Sequence, residues 1–146
     1  MKGTLDFRQL VAELAHQLLL AHESFSVVCK DGNVSCSQLT VLKRLSEVDE
    51  LCCKTLSADL KIVPSTLTGI CNVLEKKGYI TRQYSAVDKR RVYVSLTDSG
   101  QSYLKHAYDS IIDCVNRVAK TFDQSDIEKS TVLLQSFNQK VNAKTI

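Results

Sequence analysis

The apolar pattern of this chain changes period in its middle. Up to Leu74, apolar side chains recur every three or four positions, the spacing of one helix face. Ile80 to Tyr84 then reads as a strand, and Val92, Val94 and Leu96 alternate with Tyr93 and Ser95 on a second one. A charged loop, Ser85-Ala86-Val87-Asp88-Lys89-Arg90, joins them, and the helical period returns beyond Thr97. Two short strands cannot stand alone in water. The hairpin must lean on the helices, which makes the fold mainly α with a small β-hairpin.

The helices follow from spacing and end signals. Phe7, Leu10, Val11, Leu14, Leu18, Ala21, Phe25 and Val28 form one stripe along a helix over 5–28, closed by the turn residues Asp31-Gly32-Asn33. Ser35 is placed to cap a second helix carrying Leu39, Leu42 and Leu45. A short third helix is expected over 52–60. Pro64 opens a fourth, where its missing N–H costs nothing, and Gly78 suits the position just past its end. Thr97 and Asp98 can cap a long helix over 98–122. Ser125-Asp126-Ile127-Glu128 has the form of a capping box for a last helix over 125–142. With neither linker nor internal repeat, 1–146 reads as a single domain.

Composition excludes several classes. With 44% hydrophobic and 24% charged residues the chain is ordinary globular material. No apolar run approaches the ~18–20 residues that span a bilayer, and the first residues do not read as a signal peptide. The cytoplasm is then the default location, and the six cysteines are expected as thiols. They form no Cys-x-x-Cys pair and are not spaced with His16, His22 and His106 as a zinc finger requires, so no metal and no cofactor is expected. A phosphate-binding glycine loop, a nucleophile elbow and a zinc-protease motif are all missing, which argues against an enzyme.

Charge is unevenly spread. Residues 54–91 hold eight basic and three acidic side chains, a net +5, and the remainder is −2 with eleven basic and thirteen acidic. A polyanion-binding middle is the simplest physical reading, and a solvated basic surface is the alternative. Two short helices, the second with polar residues at its start, followed by a basic hairpin make a winged helix-turn-helix. Ser65, Thr66, Thr68, Gly69 and Asn72 would face the major groove of duplex DNA, or solvent if the helix is merely capped. Arg82, Asp88, Lys89, Arg90 and Arg91 complete the candidate DNA-binding set. An arginine at the loop tip can enter a narrow minor groove, with Asp88 holding Arg90 by a bidentate pair. The alternative is a loose charged turn.

Over residues 35–100 the sequence resembles the MarR family of bacterial transcription regulators. The resemblance is carried by Ser65-Thr66-Leu67-Thr68, Leu74-Glu75-Lys76-Lys77-Gly78-Tyr79-Ile80, Asp88-Lys89-Arg90 and Val92-Tyr93-Val94-Ser95-Leu96-Thr97-Asp98-Ser99-Gly100. It implies a winged core over about 35–98 and a homodimer built by the helices over 5–28, 98–122 and 125–142. It further implies a pseudo-palindromic operator, a repressor role, and release by a small phenolic or lipophilic ligand or by thiol oxidation. Tyr108, His22 and His106 are conceivable ligand-lining residues. The family often has arginine where this chain has Gly69 and Val73, and Asn72 replaces a frequent aspartate. Each good bidentate base contact is worth ~1–3 kcal/mol, so sequence discrimination by this helix should be weakened. A winged-helix interaction module or anti-regulator with weak DNA binding is the competing reading.

Cys36 and Cys52 lie at expected helix starts, where thiols gain thiolate character. With Cys53 they are the redox candidates. Cys71 and Cys114 sit on apolar stripes and read as packing residues, and packing is the alternative for all six.

Overall fold

The computed structural model describes residues 6–30, 34–88 and 90–144, with the side chains of 25–30, 142 and 144 left out. Asp31-Gly32-Asn33 and Lys89 therefore lie outside the described residues. The element order is α1 (Phe7–Lys30), α2 (Cys36–Leu45), β1 (Leu51–Cys52), α3 (Cys53–Leu60), α4 (Pro64–Lys76), β2 (Ile80–Tyr84), β3 (Val92–Leu96), α5 (Asp98–Ala119) and α6 (Gln124–Lys144). The fold is thus mainly α with a winged helix-turn-helix. None of the helices is long and apolar enough to cross a membrane, among the described residues. Contacts gather the chain into two units, Met1–Ile111 and Ile112–Ile146.

The first unit holds the winged core. Ser35 caps α2 as expected: its hydroxyl accepts from the Gln38 N–H, and the Gln38 side chain accepts from the Ser35 N–H, a reciprocal capping box. Leu39, Leu42 and Leu45 on α2, Leu56 on α3, and Leu67, Cys71 and Leu74 on α4 pack with Ile80 and Val94 of the hairpin into one buried cluster. The hairpin does lean on the helices, through these two inward positions.

The sheet has one strand more than expected. β1 pairs antiparallel with β3 (Leu51 opposite Val94, Cys52 opposite Tyr93), giving the order β1-β3-β2. A two-residue strand carries too little sequence for a period to show. Its existence is set by the edge of β3 that it covers.

Two more boundaries moved. The capping box over Ser125–Glu128 does not form, because α6 starts one residue earlier: the Asp123 carbonyl already accepts from the Asp126 and Ile127 N–H groups. Ser125 is then inside the first turn, and Glu128 accepts from Gln124 Nε2 at 2.8 Å. α5 stops at Ala119 rather than near 122, where Thr121 and Phe122 turn back onto Val118 and Ala119.

A tight junction joins the end of α4, the base of the hairpin and the start of α5. Gly78, at φ +75°, ends α4: its N–H reaches the Glu75 carbonyl and the Tyr79 N–H reaches Leu74, as in a Schellman motif. Thr97 donates its backbone N–H to the Tyr79 carbonyl (3.0 Å) and its hydroxyl to the Gly78 carbonyl (2.6 Å). The same hydroxyl oxygen accepts from the Gly100 N–H at 3.0 Å. A Cβ on Gly100 would stand 2.1 Å from the Tyr79 carbonyl oxygen.

Two glycines therefore predict opposite responses to alanine. Gly69 lies inside α4 with nothing within 4 Å of where a Cβ would stand. Gly69→Ala should raise stability by about 0.5–1 kcal/mol through helix propensity. Gly100→Ala should lower it by about 1–3 kcal/mol through overpacking against backbone. Urea unfolding at one fixed protein concentration reads both, and equal signs for the two would contradict this account of the junction.

Candidate nucleic-acid interface

α4 is set by its neighbours on one side and free on the other. It starts with Pro64 and follows a tight connection in which Lys61 takes left-handed backbone (φ 52°) and Ser57 Oγ donates to the Ile62 carbonyl at 2.6 Å. Leu67, Cys71 and Leu74 face the core. Ser65, Thr66, Thr68, Gly69 and Asn72 are all exposed, so the expected polar face exists as one surface. The Thr68 hydroxyl already donates to the Pro64 carbonyl at 2.9 Å. What it offers a ligand is therefore an acceptor. The first N–H groups of α4 have no partner within the helix, a favourable setting for a phosphate.

The hairpin loop is internally braced. Ser85 Oγ accepts from the Val87 and Asp88 N–H groups, both at 3.2 Å, and the Ser85 N–H donates to the Arg91 carbonyl at 2.9 Å. Asp88 plays its bracing part differently from the expected bidentate pair with Arg90. Its Oδ1 accepts from the Arg90 backbone N–H (3.0 Å), and its Oδ2 faces Arg91 Nε (3.6 Å). Asp88 thus spends one oxygen on the Arg90 backbone and turns the other to Arg91. Arg90 is exposed, and its guanidinium makes no ion pair among the described residues. Arg91 keeps about two-thirds of its side chain exposed beside Asp88.

Arg82 is a different kind of residue from the loop arginines. Its Nε (3.0 Å) and Nη2 both donate to one carboxylate oxygen of Glu75 on α4. The guanidinium holds the Glu75 carboxyl below its usual range, and that same pairing raises Arg82. Arg82 thus ties the hairpin to the last turn of α4. A second tie of this kind joins α2 to α3, where Arg44 Nε and Nη2 reach Asp59 Oδ2 at 3.0 and 2.7 Å. Sequence alone cannot distinguish these tied arginines from free ones, since each pair spans two elements.

Beneath the loop, a groove of about 760 Å³ separates β1 and the start of α3 from the hairpin tip, with Cys52, Cys53, Lys54, Arg90, Arg91 and Tyr93 among its walls. Cys52 stands at the N-cap position of α3 but makes no side-chain capping bond, and Cys36 is half-buried in the first turn of α2. Cys53 is half-buried and packs against the core cluster that includes Cys71 of α4. Hydrogen bonding from Cys71 holds the Cys53 thiol down; burial works against the shift and the Arg82 charge assists it, leaving Cys53 at about 7 against an ordinary 9.0. The same bond, with burial added, pushes Cys71 up. Cys71 is indeed a packing residue at 1% exposure, and it is also the partner of Cys53, which its place on an apolar stripe did not reveal. No cluster of histidine, cysteine and carboxylate side chains suited to a metal ion occurs among the described residues.

Known proteins agree with this geometry. The homoprotocatechuate degradative operon repressor of Escherichia coli is 27% identical over 124 residues, covering 82% of this chain and 84% of its own. Apo MarR from E. coli superposes with a TM-score of 0.75 at 18% identity, over 93% of this chain and 98% of that one. NadR in complex with 4-hydroxyphenylacetate superposes with a TM-score of 0.66 at 20% identity, over 94% and 97%. These relatives are transcription regulators and not enzymes. Residues 23–107 match the family model described as transcriptional regulator SarA/Rot. The chain therefore belongs to the SarA/Rot transcriptional regulators, DNA-binding winged-helix proteins of the MarR type.

Proposed function

We propose that this regulator is a cytoplasmic homodimeric repressor that grips a pseudo-palindromic operator. In this reading Ser65, Thr66, Thr68, Gly69 and Asn72 of each α4 enter the major groove, and Arg90 and Arg91 reach the flanking backbone and minor groove. Lys89 adds charge at the same tip, and Asp88 and Arg82 position the others. The observation that carries the reading is the pairing of an exposed small-polar helix face with a braced loop whose Arg90 guanidinium has no internal ion-pair partner among the described residues. A charged tip held this firmly suits a polyanion.

Uncovered apolar side chains support the homodimer. On α1, Phe7 is 82% exposed and Leu19 66%. In the second unit Phe122, Val132 and Leu133 are each about 60% exposed. Apolar surface of this extent calls for a partner, and a second copy supplies the complementary stripes. For release, the likeness to NadR, whose structure holds 4-hydroxyphenylacetate, and to a repressor of homoprotocatechuate degradation supports a small phenolic effector. Tyr108, His22 and His106 are the residues to test for it, and thiol oxidation is the other route.

Fluorescence anisotropy with duplex DNA from upstream of the protein's own gene, at two salt concentrations, tests the main reading. Binding should fall steeply with salt, weaken in Arg90→Ala and exceed binding to a scrambled duplex. Equal affinity for both duplexes would indicate an architectural role, and binding to neither would indicate a protein-interaction module. Gly69→Arg has room for its side chain in the free protein. It should tighten both duplexes and steepen the salt slope by about one unit. A slope that stays put would take α4 off the DNA. Leu133→Asp, a change at a surface position of the single chain, should leave the fold intact yet shift sedimentation from dimer to monomer; an unchanged dimer would remove α6 from the interface.

A further inference from the structure

We propose that Val73 and the open space over Gly69 make α4 a reader of thymine, whose C5-methyl group enters the gap that the glycine leaves and packs against the Val73 side chain. That contact rests on the reading above that α4 enters the major groove. Gly69 lies at the centre of the exposed face of α4. Its neighbours on the helix surface are the residues three and four positions away, Ser65, Thr66, Asn72 and Val73, and all four are exposed. Nothing stands within 4 Å of where a Gly69 Cβ would be. The gap therefore takes a methyl group without displacing any atom among the described residues.

The two sides of the gap differ in chemistry. Ser65 and Asn72 flank it on one side with a hydroxyl and an amide, both able to donate. Val73, 39% exposed although apolar, stands on the other side with the methyl-bearing Thr66. Thr68, farther round the same face, has turned its hydroxyl proton to the Pro64 carbonyl at 2.9 Å and adds no donor. Among the base edges of the major groove only thymine carries an apolar group, and its O4 acceptor lies beside that methyl. A thymine set over Gly69 meets Val73 with its methyl and the Ser65 and Asn72 donors with its O4. Cytosine lacks the methyl and puts an amine in the place of O4, and neither purine has an apolar group there.

Both residues are poor choices for the free protein alone. Glycine inside a helix is unfavourable relative to alanine, and no neighbour crowds position 69 so as to require it. Valine is β-branched, which lowers its helix propensity, and Val73 lies outside the buried core cluster. A methyl group seated between them gives both a use. An arginine at either position would instead fill the gap and exchange this contact for charge.

The experiment uses the full-length protein and the duplex from upstream of its own gene, made once with thymine and once with uracil, which lacks only the C5-methyl. In anisotropy titrations wild type should bind the uracil duplex roughly fourfold more weakly for each half-site, the transfer value of one buried methylene. Gly69→Ala fills the gap and Val73→Ala removes its apolar wall, and each should bind the two duplexes alike. Both place the best helix former at an exposed position, circular dichroism checks that they fold, and Gly69→Ala preserves the test if Val73→Ala does not. Asn72→Ala should weaken both duplexes and keep their ratio, since uracil retains O4. Equal affinity of wild type for the two duplexes overturns the thymine contact, as does a ratio that survives in Gly69→Ala and Val73→Ala. If Gly69→Arg still steepens the salt slope, the thymine contact alone has failed. If the slope stays put, α4 is off the DNA and the reading beneath the contact has failed with it. Wild type that binds neither duplex overturns both.

Discussion

The Tyr79 carbonyl is the point on which the placement of α4 against the hairpin depends. It accepts from Thr97, stands against the Cα of Gly100, and belongs to a residue whose ring stacks on Tyr103 at 4.6 Å. One peptide unit thereby fixes the exit of α4, the base of the hairpin and the entry of α5. Each of these contacts is small. Their joint effect is geometric, because a backbone oxygen cannot retreat as a side chain can. With the junction closed, the angle between α4 and hairpin has little freedom left, and the Arg82–Glu75 bond closes the remaining side. The hairpin is then a rigid lever on the helix rather than an appended loop.

Charge is divided between two tasks. Arg44 and Arg82 are consumed by internal carboxylates, the first pair joining α2 to α3 and the second the hairpin to α4. Such partly exposed pairs contribute modest stability, about 0–1 kcal/mol each; their value is in orientation. Arg90, by contrast, is held by its backbone alone. The loop spends its hydrogen bonds on Ser85, Asp88 and the main chain, so the guanidinium is aimed without being neutralised. This arrangement stores repulsion at the tip in the free protein, and a phosphate backbone would relieve it. The Arg82–Glu75 pair lies wholly inside residues 54–91, so it leaves the net excess of that segment unchanged and only removes Arg82 from the cations on offer.

The main lines of this architecture were legible in the residues because periods of 3.6 and 2 are long-range signals. They placed eight of the nine elements, and Gly78 and Ser35 marked two helix ends through chemistry that only a few residues supply. β1 escaped because two residues have no period. The Ser125 capping box was a motif without its geometry: Asp123 took the first turn instead. Candidate site residues were harder for a related reason. Ser65, Thr66, Thr68, Gly69 and Asn72 share an exposed face that helical phase alone reveals. Whether an arginine is free or tied depends on partners in another element, as Glu75 is for Arg82. Cys53 and Cys71 are separated by a helix, a turn and half of another helix, and nothing in their spacing announces that Cys53 packs against the core cluster that includes Cys71.

For its proposed task as recognition helix, α4 is unusually bare. Gly69 offers no side chain, Val73 no hydrogen bond, and Thr68 has already committed its proton to the Pro64 carbonyl. If each missing bidentate base contact forfeits ~1–3 kcal/mol of discrimination, one α4 alone selects poorly among sequences. The proposed dimer changes the arithmetic without adding a contact. Two helices held at a fixed separation read two half-sites at once, so modest preferences add in free energy and multiply in affinity. A bare helix also brings its backbone nearer to the groove floor, where shape and deformability of the duplex are read. On this view the rigidity supplied by the Tyr79 junction matters more here than it would in a chain with arginines at 69 and 73. When individual contacts are weak, selectivity rests on how firmly their spacing is kept, and any change that tilts α4 against the hairpin is felt at both half-sites together.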